Sequence, residues 1–144
     1  MSLILQRAEQ FYIPTIEKIL QKENLPYQDA NAENIEFYMA FSDSEFVGIV
    51  GLEKFIDVAL LRSMVIFDKF RNNGYGRRIV NQILEEATAK GINEIFILTT
   101  TAKDFFERLG FEVIERIEVP DSIKATTEFT SLCPASATCM HINV

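Results

Sequence analysis

Cysteine is scarce in this chain: two among 144 residues, Cys133 and Cys139, with the single histidine, His141, close behind them. Two thiols do not make a disulfide framework, so the fold has to rest on an apolar core, and a reducing cytoplasm is the expected compartment. Long apolar runs are lacking as well. No stretch approaches the roughly 20 residues that a membrane-crossing helix needs, and the opening residues, Met-Ser-Leu-Ile-Leu-Gln-Arg, have neither the basic start nor the extended apolar centre of an export signal. Positive charge is in short supply, with 14 Lys and Arg against 21 Asp and Glu and a net charge of −7. That balance argues against nucleic-acid binding, which depends on a basic surface that neutralises phosphates. An anionic ligand therefore has to be held by a local concentration of cations. What is present is a 48% hydrophobic, 24% charged sequence without repeat, linker or low-complexity tract, as expected of one globular domain spanning 1–144 with a sizeable core.

The local concentration of cations lies within residues 62–90. Here an apolar run, LLRSMVIF, passes through a turn, DKFRNNGYG, into a segment in which Ile79, Val80, Ile83, Leu84 and Ala87 recur at helical spacing. Gly74 and Gly76 stand two apart just ahead of that helix. Such a turn can hold an anion. The first helical turn leaves four backbone N–H groups without partners and carries partial positive charge, while glycine lets a phosphate approach the backbone closely. Arg71, Arg77 and Arg78 add guanidinium groups able to grip phosphate in two-pronged hydrogen bonds. Two nucleotide motifs do not fit: a P-loop needs Gly-Lys-Ser/Thr at its end, and a dinucleotide turn needs a third glycine where Ile79 stands.

Arg71-Asn72-Asn73-Gly74-Tyr75-Gly76 does fit Arg/Gln-x-x-Gly-x-Gly/Ala, and in this the chain resembles the GCN5-related N-acetyltransferase family. In that family the turn follows the fourth strand and holds the pyrophosphate of acetyl-coenzyme A. Further on, Ala102-Lys103-Asp104-Phe105-Phe106-Glu107-Arg108-Leu109-Gly110-Phe111 is similar to the family's Ala-x-x-Phe-Tyr-x-x-Leu-Gly-Phe. The resemblance implies a mixed α/β fold, a strongly twisted and mostly antiparallel sheet splayed between its fourth and fifth strands, with helices on both faces. It implies acetyl-coenzyme A as cosubstrate. Its contacts would be the backbone of Val65, Ile66 and Phe67, the turn from Arg71 through Asn72, Asn73, Gly74, Tyr75 and Gly76 to Arg77, and Thr99 beside the pantetheine arm, where the family commonly has asparagine. Phe106 stands where many members carry a tyrosine that protonates the departing thiolate. Phenylalanine cannot donate a proton, so that acid is absent, supplied elsewhere, or unnecessary for so good a leaving group.

Taken in order, 3–7 reads as a strand and 11–20 as a helix with Pro14 in its first turn. In 35–42, Ile35, Phe37, Met39 and Phe41 alternate with Glu36, Tyr38, Ala40 and Ser42, the pattern of a strand with one buried face. A hairpin at 42–45 leads to strands over 46–55 and 58–67. After the helix, Ile95-Phe96-Ile97-Leu98 is a continuous apolar run suited to a strand covered on both faces, and the helical crossover implies that it lies parallel to its neighbour. Ala102, Phe105, Phe106 and Leu109 form a short helix ended by Gly110. A strand over 111–117, helical turns over 120–129 and a last strand over 137–142 complete the chain.

Three residues point to the acceptor side. Arg62 and Ser63 interrupt an apolar strand, whose alternation places Arg62 and Met64 on one face and Ser63 and Val65 on the other. A buried arginine is costly unless paired. Arg62 therefore either forms a salt bridge, for instance with Glu53, or grips an anionic group on the acceptor. Glu53 is either a solvated strand-end carboxylate or the base that takes the proton of the attacking amine. The resemblance adds that backbone N–H groups of 65–67 polarise the acetyl carbonyl.

Cys133, Cys139 and His141 could bind a soft metal, but their spacing is not that of a zinc site and no metal is expected. Thr127-Glu128-Phe129, Leu132-Cys133-Pro134-Ala135-Ser136-Ala137, Gly51-Leu52-Glu53 and Ala59-Leu60-Leu61-Arg62-Ser63 resemble a narrower branch, the acetyltransferases associated with bacterial arsenic-resistance operons. That likeness implies a small amino-acid-like amine, such as an organoarsenical or phosphinic analogue, as acceptor. Two other classes stay open: a coenzyme A-binding sensor without turnover, and a thiol-based metalloid-binding module. Whether an end strand pairs with a second copy to form a homodimer is open too.

Overall fold

The computed structural model describes residues 2–132 and 136–144, so that Cys133 lies outside the described residues. Seven strands, β1 (Ile4–Arg7), β2 (Ile35–Ser42), β3 (Glu45–Lys54), β4 (Val58–Ile66), β5 (Glu94–Thr99), β6 (Glu112–Val113) and β7 (Thr138–Asn143), form one sheet in the order β1-β2-β3-β4-β5-β7-β6. Neighbours are antiparallel except β4 and β5. That pair is parallel because α2 (Tyr75–Ala89) carries the chain across the sheet between them. The remaining α-helices among the described residues are α1 (Ile13–Lys22), α3 (Lys103–Arg108) and α4 (Asp121–Lys124). Among the described residues no helix is long and apolar enough to cross a membrane.

Both faces of the sheet are covered. The stripe Ile79, Val80, Ile83 and Ala87 of α2 packs on Val50, Ala59, Leu61, Ile95 and Ile97. The opposite face carries two separate cores. Ile13, Ile16 and Leu20 of α1 meet Ile35, Phe37, Met39, Ile49 and Val65, and Ile123 of α4 with Val119 meets Val58, Leu60, Phe96 and Cys139.

Covering on both faces corrects the one-sided reading of β2, since Ile35 through Ala40 are all buried. Glu36, on the supposedly exposed face, is tolerated there by charge. It accepts from Tyr38 and pairs with Lys90, Lys54 and Arg7 at 2.6 to 2.9 Å. The strand expected over 111–117 shrinks to the two exposed residues of β6, after which the chain turns into a 3-10 helix at Arg116–Glu118. The last strand slots between β5 and β6.

Candidate active site

The site begins with an irregularity in β4. Ile49 faces Val65 and Gly51 faces Arg62, so two residues, Ser63 and Met64, stand against Val50 alone. The extra residue is absorbed at Ser63, whose φ of 60° lies in the left-handed region. This bulge corrects the alternation expected of the strand. Arg62 shares a face with Leu60 and Val65, while Leu61, Met64 and Ile66 turn toward the α2 side. Gly48 allows the close approach that results, because a Cβ there would collide with the Val65 carbonyl oxygen.

Just before the bulge, β4 and β5 part. Val58, Ala59 and Leu60 pair with Glu94, Ile95 and Phe96, and the remainder of both strands diverges around a cavity. The cavity has a volume of about 270 Å³, and its walls include Arg62, Ser63, Met64, Thr99, Phe106 and Glu128. A cleft of about 540 Å³ continues from it along Met64, Val65 and Ile66 to Arg71, Gly74, Gly76 and Arg77, and the two spaces share Leu25, Met64 and Ala102. Phe67 donates its N–H to Val47 O at 3.0 Å. Strand alternation then turns the N–H of Ile66 away from β3, toward the splay. Phe67 itself packs edge-on against Phe46.

The glycine turn has the form of an anion cradle. Asn72 and Gly74 have φ of 64° and 78°, and α2 starts directly after Gly74. Asn73 fixes the loop by donating to the carbonyls of Phe70 and Arg71. Arg71 is held in place by donation to Ile66 O at 2.8 Å and by pairs with Glu23 and Asp68. The side chain of Tyr75 anchors the turn from below, its hydroxyl donating to Ser42 Oγ at 3.2 Å. Gly76 lets α3 close over the helix start, since a Cβ there would stand 3.3 Å from the Phe105 ring. Arg77 is exposed at the rim, and the half-buried Arg78 follows one residue into the helix. These residues fit a diphosphate: backbone N–H groups at a helix start, guanidinium groups beside them, and no side chain at the two glycines.

At the inner end Arg62 is fully buried among three carboxylates. Its Nη1 and Nη2 donate to the two oxygens of Asp29 at 2.6 and 2.7 Å, Nη1 also reaches Glu53 at 3.2 Å, and Nε lies 3.2 Å from both Glu128 and Ser63 Oγ. Burial works against charge on Arg62, but the Asp29 hydrogen bonds and the charges of Glu128, Asp29 and Glu53 hold its proton more tightly than usual. Burial pushes the Glu53 carboxyl above its ordinary range, the charge of Arg62 pulling it part of the way back. Asp29 was not singled out from the sequence, and Glu128 entered only as part of the Thr127-Glu128-Phe129 likeness, with no role of its own. Asp29 sits in a polar segment without periodicity, and Glu128 in a π-helical turn, Glu128–Leu132, far along the chain.

Other predicted residues fall around this centre. Thr99 ends β5, and its Oγ1 accepts the N–H of Ala102, shaping the turn into α3. Phe106 is buried against Phe105 and Phe111 and presents its ring to the inner cavity. Cys139 is buried in the core beside Phe96, where desolvation pushes its thiol up to about 11 and keeps it protonated.

Comparison with known proteins agrees with this geometry. Residues 4–111 match the family model of the acetyltransferase (GNAT) family. The chain is 30% identical over 89 residues to an uncharacterized N-acetyltransferase of Chlorobaculum tepidum, covering 61% of this chain and 57% of that protein. It is 26% identical over 89 residues to an amino-acid acetyltransferase of Neisseria meningitidis, covering 60% of this chain but 20% of that protein. In three dimensions it is similar to the N-acetylglutamate synthase of Neisseria gonorrhoeae, whose crystal structure holds coenzyme A and L-arginine. The TM-score is 0.78 at 19% identity, over 99% of this chain and 33% of that one. The chain thus spans about half, or less, of the length of these relatives. It belongs to the acetyltransferase (GNAT) family.

Proposed function

We propose that this chain moves the acetyl group of acetyl-coenzyme A onto the primary amine of a small molecule. The observation that carries the reading is the continuity of the two cavities across the splay, with an anion cradle at the outer end and a buried charged wall at the inner end. Acetyl-coenzyme A supplies an activated acyl group on a thiol that departs readily. Its diphosphate would lie on the turn between Arg71 and Arg77, and its pantetheine arm along Val65 and Ile66 toward Thr99. The N–H of Ile66 faces the splay and would bond the acetyl oxygen as charge gathers on it.

An amine is mostly protonated at neutral pH, so a group must take its proton before it attacks. Glu53 is the proposed acceptor of that proton. Its raised affinity for a proton suits the task, and since it lies behind Arg62 it would act through an intervening water. Phe106 offers no proton to the departing thiolate, which would leave as the anion or take a proton from water. The residues shared with the arsenic-associated branch support an amino-acid-like organoarsenical or phosphinic amine as acceptor, and a role in arsenic resistance in the cytoplasm. The Neisseria meningitidis relative, an amino-acid acetyltransferase, supports an amino-acid-like acceptor too. Any anionic group on that acceptor would have to share Arg62 with Asp29, Glu53 and Glu128.

The test is release of free thiol from acetyl-coenzyme A over a panel of amines that includes amino acids, aminoglycosides and arsinic or phosphinic amino acids. Amine-dependent release is expected. Binding of coenzyme A without release on any amine would favour a sensor instead.

A further inference from the structure

We propose that Glu23 is a positioning residue joining the two spaces of the site: its hydrogen bond with Arg71 holds the acceptor wall in place, and its charge loosens the grip on the cofactor's diphosphate. The inference rests on the acetyl-transfer reading and adds to it a residue that acts on the two substrates in opposite directions.

The end of α1 is closed by a left-handed cap. Asn24 has a φ of 59°, its N–H donates to Gln21 O at 3.2 Å, and the N–H of Leu25 donates to Leu20 O at 2.9 Å. Pro26 follows, with φ fixed by its ring. Glu23, Asn24 and Leu25 are thus carried as one piece with the helix end, so a bond that fixes Glu23 also fixes its neighbours. Those neighbours border both ligand spaces: Asn24, Leu25 and Pro26 wall the inner cavity, and Glu23 and Leu25 wall the cofactor cleft. The bond comes from Arg71, 48 residues further on, whose Nη2 donates to Glu23 Oε1 at 3.0 Å. Arg71 is itself fixed, since Nε donates to Ile66 O at 2.8 Å and Nη1 pairs with Asp68 at 2.6 Å. Asp29 ties down the far side of the same connection through Arg62. A guanidinium has more N–H groups than these bonds of Arg71 use, so a diphosphate oxygen can join it without expelling Glu23. That oxygen then stands beside a carboxylate only 29% exposed, and the two like charges oppose each other.

Glu23→Ala removes both the hydrogen bond and the charge. With saturating acetyl-coenzyme A and the panel amine that releases thiol fastest, the amine KM should rise about threefold or more, the loss falling mainly on KM rather than kcat. Calorimetry on the same variant should show coenzyme A bound about threefold or more tightly than by the parent. Glu23→Gln, which keeps an oxygen for Arg71 but no charge, should recover most of the amine KM and retain the tighter cofactor binding. Asp68→Asn takes an equal charge from the same guanidinium, but Asp68 borders neither space and its side chain is 86% exposed. Its amine KM should therefore stay within about twofold of the parent. Opposite shifts for the two ligands separate this role from a general loosening of the fold, which would weaken both. An unchanged amine KM in Glu23→Ala, an equal rise in Asp68→Asn, or coenzyme A bound no more tightly by either Glu23 variant overturns the inference while leaving acetyl transfer in place. No thiol release with any amine of the panel overturns acetyl transfer, and the inference with it.

Discussion

Arg62 and Asp29, 33 residues apart in the chain, meet as a two-pronged ion pair with N···O distances of 2.6 and 2.7 Å. The pair ties the segment between α1 and β2 to the strand that forms the floor of the site. Since Glu53 and Glu128 converge on the same guanidinium, its loss leaves three buried carboxylates without a cation. Arg62→Met should destabilise the protein by about 3–5 kcal/mol, measured as a fall in the urea midpoint. A variant as stable as the parent would mean that the carboxylates do not depend on Arg62.

Glu53→Gln keeps the shape of the side chain and removes its basicity. Turnover should fall about a hundredfold, and the acid limb of the pH–rate profile should vanish. In the parent that limb should lie above the ordinary carboxyl value of 4.5, because burial raises the Glu53 pKa and turnover needs the ionised form. Full activity of the variant at every pH would assign proton removal to another group.

The glycine turn can be tested by binding alone. Gly76→Leu sets a side chain 3.3 Å or less from the Phe105 ring, at the mouth of the cradle, and should weaken coenzyme A binding by calorimetry at least tenfold, about 1.4 kcal/mol. Gly74→Ala, forced to keep a φ of 78°, should cost roughly 1 kcal/mol of stability. Unaltered affinity in Gly76→Leu would place the cofactor elsewhere.

Arg71 is held toward the cleft by donation to Ile66 O. A charge-assisted hydrogen bond of about 1.5–3 kcal/mol is at stake, so Arg71→Ala should lose ten- to a hundredfold in coenzyme A affinity, with a smaller loss at high salt. A loss independent of salt would argue against a phosphate contact.

Glu36 gives the fold an acid sensitivity of its own. Burial opposes its ionisation, but hydrogen bonds from Lys54, Lys90 and Tyr38 hold its carboxyl down to about 2, against 4.5 in the unfolded chain. The stabilisation is therefore complete above pH 4.5 and disappears as pH falls toward 2, and a carboxyl lowered this far contributes roughly 3 kcal/mol at neutral pH. Chemical denaturation between pH 5 and 2.5 should show the decline, with a shallower slope in Glu36→Gln. Equal slopes would remove Glu36 as its source.

The sheet, the crossover helix and the glycine turn were legible because each follows a local rule: alternation in β2 and the hairpin turn that returns β3, helical spacing from Ile79 to Ala87, glycine at the helix start. The bulge at Ser63 was not, because a single inserted residue leaves the apolar count of β4 unchanged while reversing its faces beyond that point. Arg62 could be read as a buried cation in need of a partner, and Glu53 was named as one candidate. Asp29 and Glu128 could not be read, since a carboxylate in an aperiodic segment looks like any solvated one until the chain folds back. The two-sided burial of β2 was hidden for a related reason. Glu36 imitates an exposed position, and the ions that neutralise it lie on β1, on β3 and just past the end of α2.

The seventh strand bears on how ligands come and go. It backs β5 along all six residues, from Glu94 opposite Asn143 to Thr99 opposite Thr138, just as β3 backs β4. Each jaw of the V is thus reinforced from outside, so the strands cannot gape to admit a bulkier guest. The wall between the jaws also includes Asn24, Leu25 and Pro26, which belong to the connection after α1 and to no paired strand, so substitutions there can reshape the space while leaving the jaws untouched.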